Sequence, residues 1–459
     1  MIQNGLVVAE HTEAIADILC EGEKITAVGK IPAGDCAGAE TIDAAGKMVI
    51  PGGVDVHTHL NITVGDTASC DDFYSGTVAA ACGGTTTIVD HPGFGPAGCP
   101  LDYQIEKYHR LAAGKAVIDY GFHGVVQHVD DNALAMMGSL AGQGITSFKA
   151  YLTYAHKIDD SDMLKVLRKA RDLGVMIAVH PENDGIINLL RDEFQAAGKT
   201  GAEYHPQSRP PECEAEAVNR MILWAHLAGD APLYIVHLSC ALGLDCIQAA
   251  RRCGQKNLWV ETCPQYMLLD DSRYSLPHNE GLKYIMSPPL RSPADRDALW
   301  QGLESDIDVI GTDHCSFLFE SQKMRGKDNF TLCPGGAPGI EERIPLLYSE
   351  GVAKGRISLR RFTDLCCAAP AKLFGLYPQK GAIAPGSDAD MVIIDPGRRV
   401  VLGKGLLHGS ADYTAYEGYP VQGWPSCTIA RGEVIVRDGQ FLGAAGRGKF
   451  LKRLRSGFM

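Results

Sequence analysis

The sequence predicts an α/β fold in which a (β/α)8 TIM barrel carries a small β-sandwich domain built from both chain ends. Three observations support this prediction. The chain of 459 residues is longer than a single hydrophobic core usually organises. Its two ends carry short alternating runs, and the part between them alternates eight apolar runs with helical stretches. We therefore expect one sandwich part at residues 1–50, the barrel at 51–375, and the second sandwich part with a C-terminal tail at 376–459.

Both ends of the chain show the alternation typical of antiparallel strands, with glycine-containing turns between the runs. The clearest runs span residues 15–19 and 24–28 near the N-terminus and residues 389–395 and 432–439 near the C-terminus. Their similarity indicates that the two ends build one sandwich. The basic tail at residues 447–455 can clasp a neighbouring subunit or remain solvated, and the sequence leaves both possibilities open.

The middle of the chain supplies eight candidate strands for a parallel sheet. Their apolar runs span residues 54–60, 85–91, 117–127, 145–151, 175–182, 233–239, 258–263 and 307–313. Eight parallel strands with helices between them suggest a closed barrel, whose active site lies at the C-terminal strand ends. Polar residues that close a strand are therefore the first candidates for function.

Such polar residues occur in five of the runs. The first run ends in GGVDVHTHL, where His57 and His59 are two residues apart and point to the same face of a strand. The fourth, fifth, sixth and eighth runs supply Lys149, His180, His237 and Asp313. A single histidine in such a place is more often a hydrogen-bonded core residue, and a single lysine usually snorkels. The convergence of all six on one barrel mouth predicts a metal site instead.

The chemistry of these side chains suits a divalent ion such as Zn²⁺, because they offer nitrogen and oxygen donors. Six ligands are too many for one tetrahedral site, so we predict two metal ions. An ammonium group has no lone pair, and Lys149 can bridge two ions only as a carbamate formed with carbon dioxide. Burial would lower the pKa of this lysine and expose the neutral amine that the reaction requires.

The amino-acid composition of the chain indicates which kind of molecule it binds. The net charge is −12 and the only basic block is short and C-terminal, which argues against a nucleic acid or an anionic membrane as partner. The 15 cysteines are scattered without Cys-x-x-Cys spacing and are expected to be reduced and buried. There is no secretory signal pattern, and no apolar stretch approaches about 18 residues. We therefore expect a soluble, cytoplasmic protein that acts on a small molecule.

Longer motifs resemble the cyclic amidohydrolases and, among them, the hydantoinase and dihydropyrimidinase branch. The resemblance runs from end to end and rests on GGVDVHTHLN, DDFYSGT, ACGGTTTI, SFKAYLTY, RPPECEAEA, YIVHLS, ETCPQY, SPPLR, GTDHCSF, PGIEER, FGLYPQKGAIAPGSDADMVIIDP and GRGKFLKR. The HPEND sequence that closes the fifth run is similar to the bacterial phenylhydantoinase subgroup. The resemblance implies a homotetramer, with a dimer as the alternative.

The resemblance also implies how the ligands are shared between two ions. One ion would be held by His57, His59 and Asp313, and the other by His180 and His237. Carboxylated Lys149 and a hydroxide would bridge the two ions. Asp313 would then take a proton from the attacking water and pass it to the leaving ring nitrogen.

Three further residues match family positions that bind the substrate. Tyr154, five residues after Lys149, matches the tyrosine that donates to the oxyanion, and Ser287 matches the serine that docks the cyclic imide. Gly335 stands where the family often has asparagine, and the contact is kept if the backbone makes it. His91 is unusual at the end of the second run, and we interpret it as a pocket-lining residue.

The implied reaction is hydrolysis of 5-substituted hydantoins to N-carbamoyl amino acids. Apolar residues in the loops at 60–64 and 92–96 favour a bulky or aromatic substituent. The alternatives are a dihydropyrimidinase acting on dihydrouracil or dihydrothymine, and a non-catalytic scaffold related to dihydropyrimidinase. The complete ligand set argues against the scaffold. Leu60 and Asn61 after His-x-His argue against dihydroorotase, which usually places arginine there, and against allantoinase, which tends to have Glu-Pro-Gly.

Overall fold

The computed structural model describes residues 1–10, 12–32 and 38–455, and most of its strands fall into two sheet systems. The strands of the chain ends are β1 Ile2–Ala9, β2 Thr12–Glu21, β3 Lys24–Gly29, β4 Ile42–Asp43, β5 Met48–Pro51, β17 Met391–Val401, β18 Pro420–Ala430, β19 Glu433–Arg437 and β20 Gln440–Phe441. The strands of the barrel are β6 Gly53–Thr58, β9 Thr85–Asp90, β10 Asp119–Phe122, β11 Gly124–Val125, β12 Ser147–Tyr151, β13 Met176–His180, β14 Leu233–Ile235, β15 Leu258–Thr262 and β16 Val309–Ile310. A small hairpin joins β7 Thr63–Val64 to β8 Thr67–Ala68.

The barrel strands form a closed, parallel ring, which confirms the predicted fold class. One part of the ring follows the order β10-β9-β6 and the other the order β11-β12-β13-β14-β15-β16. The chain continues from β10 into β11, so these two strands join the parts on one side. On the other side Thr58 pairs with His314 just after β16, and the His59 N–H donates to the His314 carbonyl at 2.9 Å. Every predicted run therefore supplies a barrel strand.

The third run differs from the prediction because it contains two strands rather than one. Phe122 pairs with Asp90 of β9, whereas Gly124 pairs with Phe148 of β12. His123 lies between them: its N–H still donates to the Asp90 carbonyl at 2.9 Å, and its side chain contacts the Val56 carbonyl at 3.0 Å and the Ser147 hydroxyl at 2.7 Å. The change of strand partner at His123 explains the break.

The two chain ends meet in one nine-stranded sheet with the order β20-β19-β18-β17-β5-β1-β2-β3, and β4 pairs with β1. Strand β5 pairs in parallel with β1 from the N-terminal end and antiparallel with β17 from the C-terminal end. It leads directly into β6, so the sheet is attached to the first barrel strand. The sequence predicts that the two chain ends build one sandwich; that they share one β domain is confirmed, and its described strands belong to a single nine-stranded sheet. The boundaries at residues 50 and 375 remain predictions.

Helices cover the outside of the barrel. They are α1 Ser75–Cys82, α2 Tyr103–Ala112, α3 Asp131–Gly142, α4 Asp160–Leu173, α5 Asp184–Ala196, α6 His205–Ser208, α7 Pro211–Leu227, α8 Ala241–Arg252, α9 Pro264–Leu268, α10 Pro293–Gly302, α11 Arg343–Leu347, α12 Leu359–Thr363 and α13 Ala369–Leu373. A π-helical turn extends α11 through Tyr348–Val352, and another joins α12 to α13 through Asp364–Ala368. Within the described ranges, no helix has both the length and the apolar character needed to cross a membrane.

Helix α4 illustrates why these segments are helical. Met163, Val166, Leu167 and Ala170 are its buried residues, and their spacing places them on one helix face. Asp159 accepts a hydrogen bond from the Asp162 N–H and satisfies a free donor at the start of the helix. Gly174 ends the helix with φ 63°, a conformation that glycine adopts without a steric penalty.

The basic C-terminal tail lies on the barrel of its own chain, so it is not the solvated tail that the sequence allows, and contact with a neighbouring subunit stays a prediction. Hydrogen bonds join the Gly448 N–H to Ala116 and the Leu451 N–H to Tyr120. Arg453 is buried, and its guanidinium donates to the Ser147 hydroxyl at 2.9 Å and to a main-chain carbonyl of β10. Ala116 precedes β10 and Ser147 begins β12, so these contacts place the tail toward the end of the barrel opposite the C-terminal strand ends.

Candidate metal centre

The six predicted ligands all line one cavity at the C-terminal strand ends, with a volume of about 360 Å³. They lie in or just after β6, β12, β13, β14 and β16 and are His57, His59, Lys149, His180, His237 and Asp313. This volume is within the range of about 300 to 1,000 Å³ typical of small-ligand pockets. The closed ring of strands brings together residues that are as far apart in the chain as positions 57 and 313.

Three of these side chains can hold one metal ion. Oδ1 of Asp313 lies 3.2 Å from Nε2 of His57 and 3.1 Å from Nε2 of His59. Two ligands about 2.0 to 2.1 Å from a tetrahedral ion are roughly 3.3 Å apart, so the separations fit a shared ion. Burial opposes the charge of Asp313, but hydrogen bonds and positive charge from the two histidines outweigh it and hold its pKa well below the ordinary value.

The other two histidines among the six predicted ligands, His180 and His237, face each other. Nδ1 of His180 and Nε2 of His237 are 2.9 Å apart. Burial lowers the pKa of both rings, so both are neutral and have a lone pair to offer at pH 7. This pair fits a second ion if another side chain supplies a further ligand.

Lys149 fits that requirement. Its amine is buried and has no hydrogen-bond partner among the described residues. Burial lowers the pKa of Lys149 to about 8, which raises the fraction of neutral amine. Burying an amine without a partner costs free energy. Such an amine among candidate ligands indicates that its partner is a chemical group that the polypeptide itself does not supply.

A buried carboxylate that the sequence analysis did not identify supports both sides of the centre. Oε1 of Glu261 accepts from Nδ1–H of His57 at 2.5 Å and from the His237 N–H at 3.1 Å. Its other oxygen accepts from the Tyr234 hydroxyl at 2.9 Å. Burial lowers the pKa of His57, but the charge of Glu261 outweighs it and raises that pKa to about 9. The only signal in the sequence is an acidic residue inside the apolar run of β15.

A second supporting carboxylate follows β13. Oε2 of Glu182 accepts from Nε2–H of His180 at 2.7 Å. The guanidinium of Arg209 donates to both oxygens of Glu182, at 3.0 and 2.6 Å. This paired arrangement fixes the ring of His180 with Nδ1 toward His237, because Nε2 is occupied.

The backbone at the centre is strained at three positions. Tyr154, His237 and Asp313 have φ values of 76°, 41° and 52°, in the left-handed region that side chains rarely adopt. Such conformations cost on the order of 1–3 kcal/mol each and cluster at functional sites. The surrounding structure therefore stabilises these side chains in positions that the local sequence alone would not favour.

Comparison with known proteins identifies the family. The Amidohydrolase family model matches residues 48–435, which is most of the chain. The chain belongs to the amidohydrolase family. Its relatives include D-phenylhydantoinase of Escherichia coli O1:K1 / APEC, which is 52% identical over 456 residues and is matched over 99% of this chain and 98% of its own.

Solved structures of similar proteins agree with this assignment. The D-hydantoinase of a Bacillus sp. AR9 matches with a TM-score of 0.96 and 45% identity, covering 99% of this chain and 98% of that one. The dihydropyrimidinase of Brevibacillus agri NCHU1002 matches with a TM-score of 0.96 and 43% identity over the same shares. This amidohydrolase is therefore an enzyme of the cyclic amidohydrolase type, as the motifs predict.

The three expected substrate-binding residues of the amidohydrolase lie together in the cavity. Ser287 lies beside Tyr154 in the cavity and partly opposes the effect of burial on the pKa of Tyr154. Tyr154 is 40% exposed, yet its hydroxyl lies among buried atoms, and this burial raises its pKa to about 12. The phenol stays protonated at neutral pH and can donate. A Cβ added at Gly335 would meet only Ser287 Oγ, at 3.9 Å.

The pocket walls confirm one interpretation of the sequence and contradict another. Ile62, Val64 and Phe94 line the cavity of the amidohydrolase, so both apolar loops reach it. His91 is buried behind the site, stacked on His123 with ring centroids 3.8 Å apart, and is not among the lining residues. The interpretation of His91 as a pocket-lining residue is wrong, because its ring packs against His123 and against the ring of His57, whose centroid is 4.5 Å away.

Proposed function

We propose that this amidohydrolase opens the ring of 5-substituted hydantoins to give N-carbamoyl amino acids. The main support is one cavity in which the six candidate metal ligands meet an apolar wall. The D-phenylhydantoinase relative, 52% identical along nearly the whole chain, supports the same substrate class. Resemblance to the family further supports a homotetramer in the cytoplasm, with a dimer as the alternative, and light scattering measures the oligomeric state directly.

The proposed cofactors are two divalent ions, Zn²⁺ by preference, and a carboxylated lysine. His57, His59 and Asp313 would hold one ion, His180 and His237 the other, and Lys149 would bridge them as a carbamate. The support is geometric: two separate ligand groups line the same cavity as one buried amine that has no hydrogen-bond partner among the described residues. When bound, two divalent ions activate water and polarise the scissile carbonyl.

The side chains of the protein would orient the ring and move the proton. Ser287 and the backbone at Gly335 would bind the imide, which places the scissile carbonyl next to Tyr154. The Tyr154 hydroxyl would donate to the developing oxyanion, a contribution that is typically about 2.7 to 4 kcal/mol. Asp313, which is ionised at neutral pH, would accept the proton of the attacking water and deliver it to the leaving ring nitrogen.

The apolar wall sets the expected substrate preference. Ile62, Val64 and Phe94 are the residues that a 5-substituent would contact. Burying roughly 100 Å² of phenyl surface at about 25 cal/mol per Å² contributes around 2.5 kcal/mol. If the contact is made in the transition state, kcat/KM for 5-phenylhydantoin exceeds that for dihydrouracil by about 50-fold or more.

The experiment compares 5-phenylhydantoin with dihydrouracil on one preparation of purified, zinc-loaded enzyme. The second candidate is a dihydropyrimidinase, which the similarity to the Brevibacillus agri protein favours. Equal efficiency or a preference for dihydrouracil would support that candidate and contradict the hydantoin assignment. Elemental analysis of the same preparation addresses the scaffold alternative, because a scaffold would carry no stoichiometric metal and the proposed enzyme carries about two ions per chain.

A further inference from the structure

One cation in the catalytic cavity has no role in the mechanism above. Arg191 is half-buried and lines the cavity together with Tyr154, Phe330 and Thr331. It is placed by α5, which begins directly after the metal-site strand β13. The side chain of Asn183 caps this helix by accepting from the Ile186 N–H at 3.2 Å.

The face of α5 that carries Arg191 is fixed against the cavity. Ile187, Arg191 and Gln195 are spaced four residues apart and lie on one side of the helix. Ile187 is the buried residue of α5, and Gln195 donates to the Thr331 hydroxyl at 3.0 Å. Arg191 lies between these two contacts, so its side chain projects from a helix that is held on both sides of it.

Arg191 differs from the neighbouring cations because it has no partner. Arg209 is paired with Glu182, and Lys157 is paired with Asp184. Within the described part of the chain, Arg191 forms no hydrogen bond and no ion pair. The nearby Asp184 also accepts from Thr153 at 2.9 Å, and its other oxygen accepts from the Asn188 amide.

An unpaired guanidinium in a substrate cavity is chemically informative. A partly buried charge that lacks a counterion loses solvation without compensation. Burial and the charge of Arg209 lower the pKa of Arg191, and nearby acidic groups oppose this effect only in part. A guanidinium presents a planar fork of donors that matches a carboxylate in a bidentate manner.

We propose that Arg191 forms an anion subsite that binds a carboxylate on the 5-substituent of the substrate. The inference rests on the proposed function, because it concerns the substituent of the same hydantoin ring. It extends the substrate class to hydantoins with acidic side chains. The apolar wall would contact the methylene groups of such a substituent while Arg191 binds its end.

The test uses two substrates of nearly equal shape, 5-(2-carboxyethyl)hydantoin and its neutral amide, 5-(2-carbamoylethyl)hydantoin. The measured quantity is the ratio of kcat/KM for the acid to kcat/KM for the amide, which cancels any general loss of active enzyme. A hydrogen bond to a charged group is worth enough that Arg191→Gln lowers this ratio by about tenfold or more. Arg191→Lys keeps the charge and should retain part of the ratio.

Lys157→Gln provides the matched control, because it removes a positive charge close to α5 from a side chain that does not line the cavity. We expect the ratio of this variant to match that of the wild type. An equal loss in Lys157→Gln and Arg191→Gln would overturn the subsite, since general attraction of anions would explain it.

Two other outcomes also contradict the proposal. An unchanged ratio in Arg191→Gln shows that the guanidinium does not contact the substituent. An equal fall in kcat/KM for acid and amide shows a role in packing or in binding the carboxylate that every hydantoin product carries. If either outcome is found and the wild type still hydrolyses 5-phenylhydantoin, only the subsite is refuted. If the wild type hydrolyses no hydantoin, the proposed function itself is refuted.

Discussion

Replacing Glu261 with glutamine should weaken metal binding without unfolding the protein. The carboxylate is fully buried and accepts from His57, from the His237 backbone and from Tyr234. Glutamine has nearly the same shape and its carbonyl can still accept from His57, but it carries no charge. A carboxylate behind a metal-binding histidine makes the ring a better ligand, and losing it typically costs about 10- to 100-fold in metal affinity.

The assay compares the metal-free forms of wild type and Glu261→Gln in a competition titration with a zinc chelator, followed by thermal unfolding. Glu261→Ala is expected to behave differently, because it leaves three buried donors unpaired at about 1–3 kcal/mol each. We therefore expect the alanine variant to lose about 3 kcal/mol or more of the free energy of unfolding. The glutamine variant should unfold close to the wild-type temperature.

Tyr234→Phe is the matched control for this prediction. It removes one hydrogen bond to the same carboxylate and leaves the charge in place. We expect a loss of about 1 kcal/mol in stability and little change in metal affinity. If Glu261→Gln bound zinc as tightly as the wild type, or if Tyr234→Phe weakened binding equally, the charge of Glu261 would not be what orients and activates His57.

Three further predictions test other parts of the structure. Lys149→Arg should reduce turnover by several orders of magnitude and lower the metal content, because guanidinium stays protonated and cannot be carboxylated; near-normal turnover would disprove the carbamate. Gly335→Asn should change the free energy of unfolding by less than about 1 kcal/mol, since only ordinary contact with Ser287 is created, and urea unfolding measures it. Burial raises the pKa of Glu342 from 4.5 to about 7, so the native state binds more protons between these values and the wild type loses stability as pH rises. Glu342→Gln removes this loss. The free energy of unfolding of the variant minus that of the wild type should therefore be about 3 kcal/mol more favourable at pH 8 than at pH 4. The same value of this difference at both pH values would contradict the assignment.

The candidate metal ligands illustrate what can be predicted from local sequence. His57 and His59 are separated by one residue, and the period of a strand places both on one face whatever the rest of the chain does. Lys149, His180 and Asp313 each close or follow an apolar run, where a polar residue is unusual. The structure brings these side chains into one cavity, and their assignment as ligands still requires the metal analysis proposed above.

The supporting residues could not be predicted in the same way. Glu261 acts on His57 across a distance of 204 positions in the chain, and its hydrogen bonds exist only because β15 lies near β6 in the closed ring. Arg191 lies on an ordinary amphipathic helix, and its sequence position does not distinguish it from a solvated surface charge. Only the packing of α5 over the cavity gives it a different environment. The sequence marks Glu261 only as an acidic residue inside an apolar run, and it does not indicate which residue either side chain contacts.

The sequence by itself determined the barrel, the shared sheet of the chain ends and the set of candidate ligands, because hydrophobic period and strand-end residues are local properties. The tertiary structure alone decided where the third strand divides at His123 and where the tail carrying Arg453 lies. It also decided which carboxylates support the histidines, and it placed Arg191 at the cavity without a partner among the described residues. These features depend on which surfaces meet when the ring of strands closes, and packing between distant segments leaves no periodic pattern in the chain.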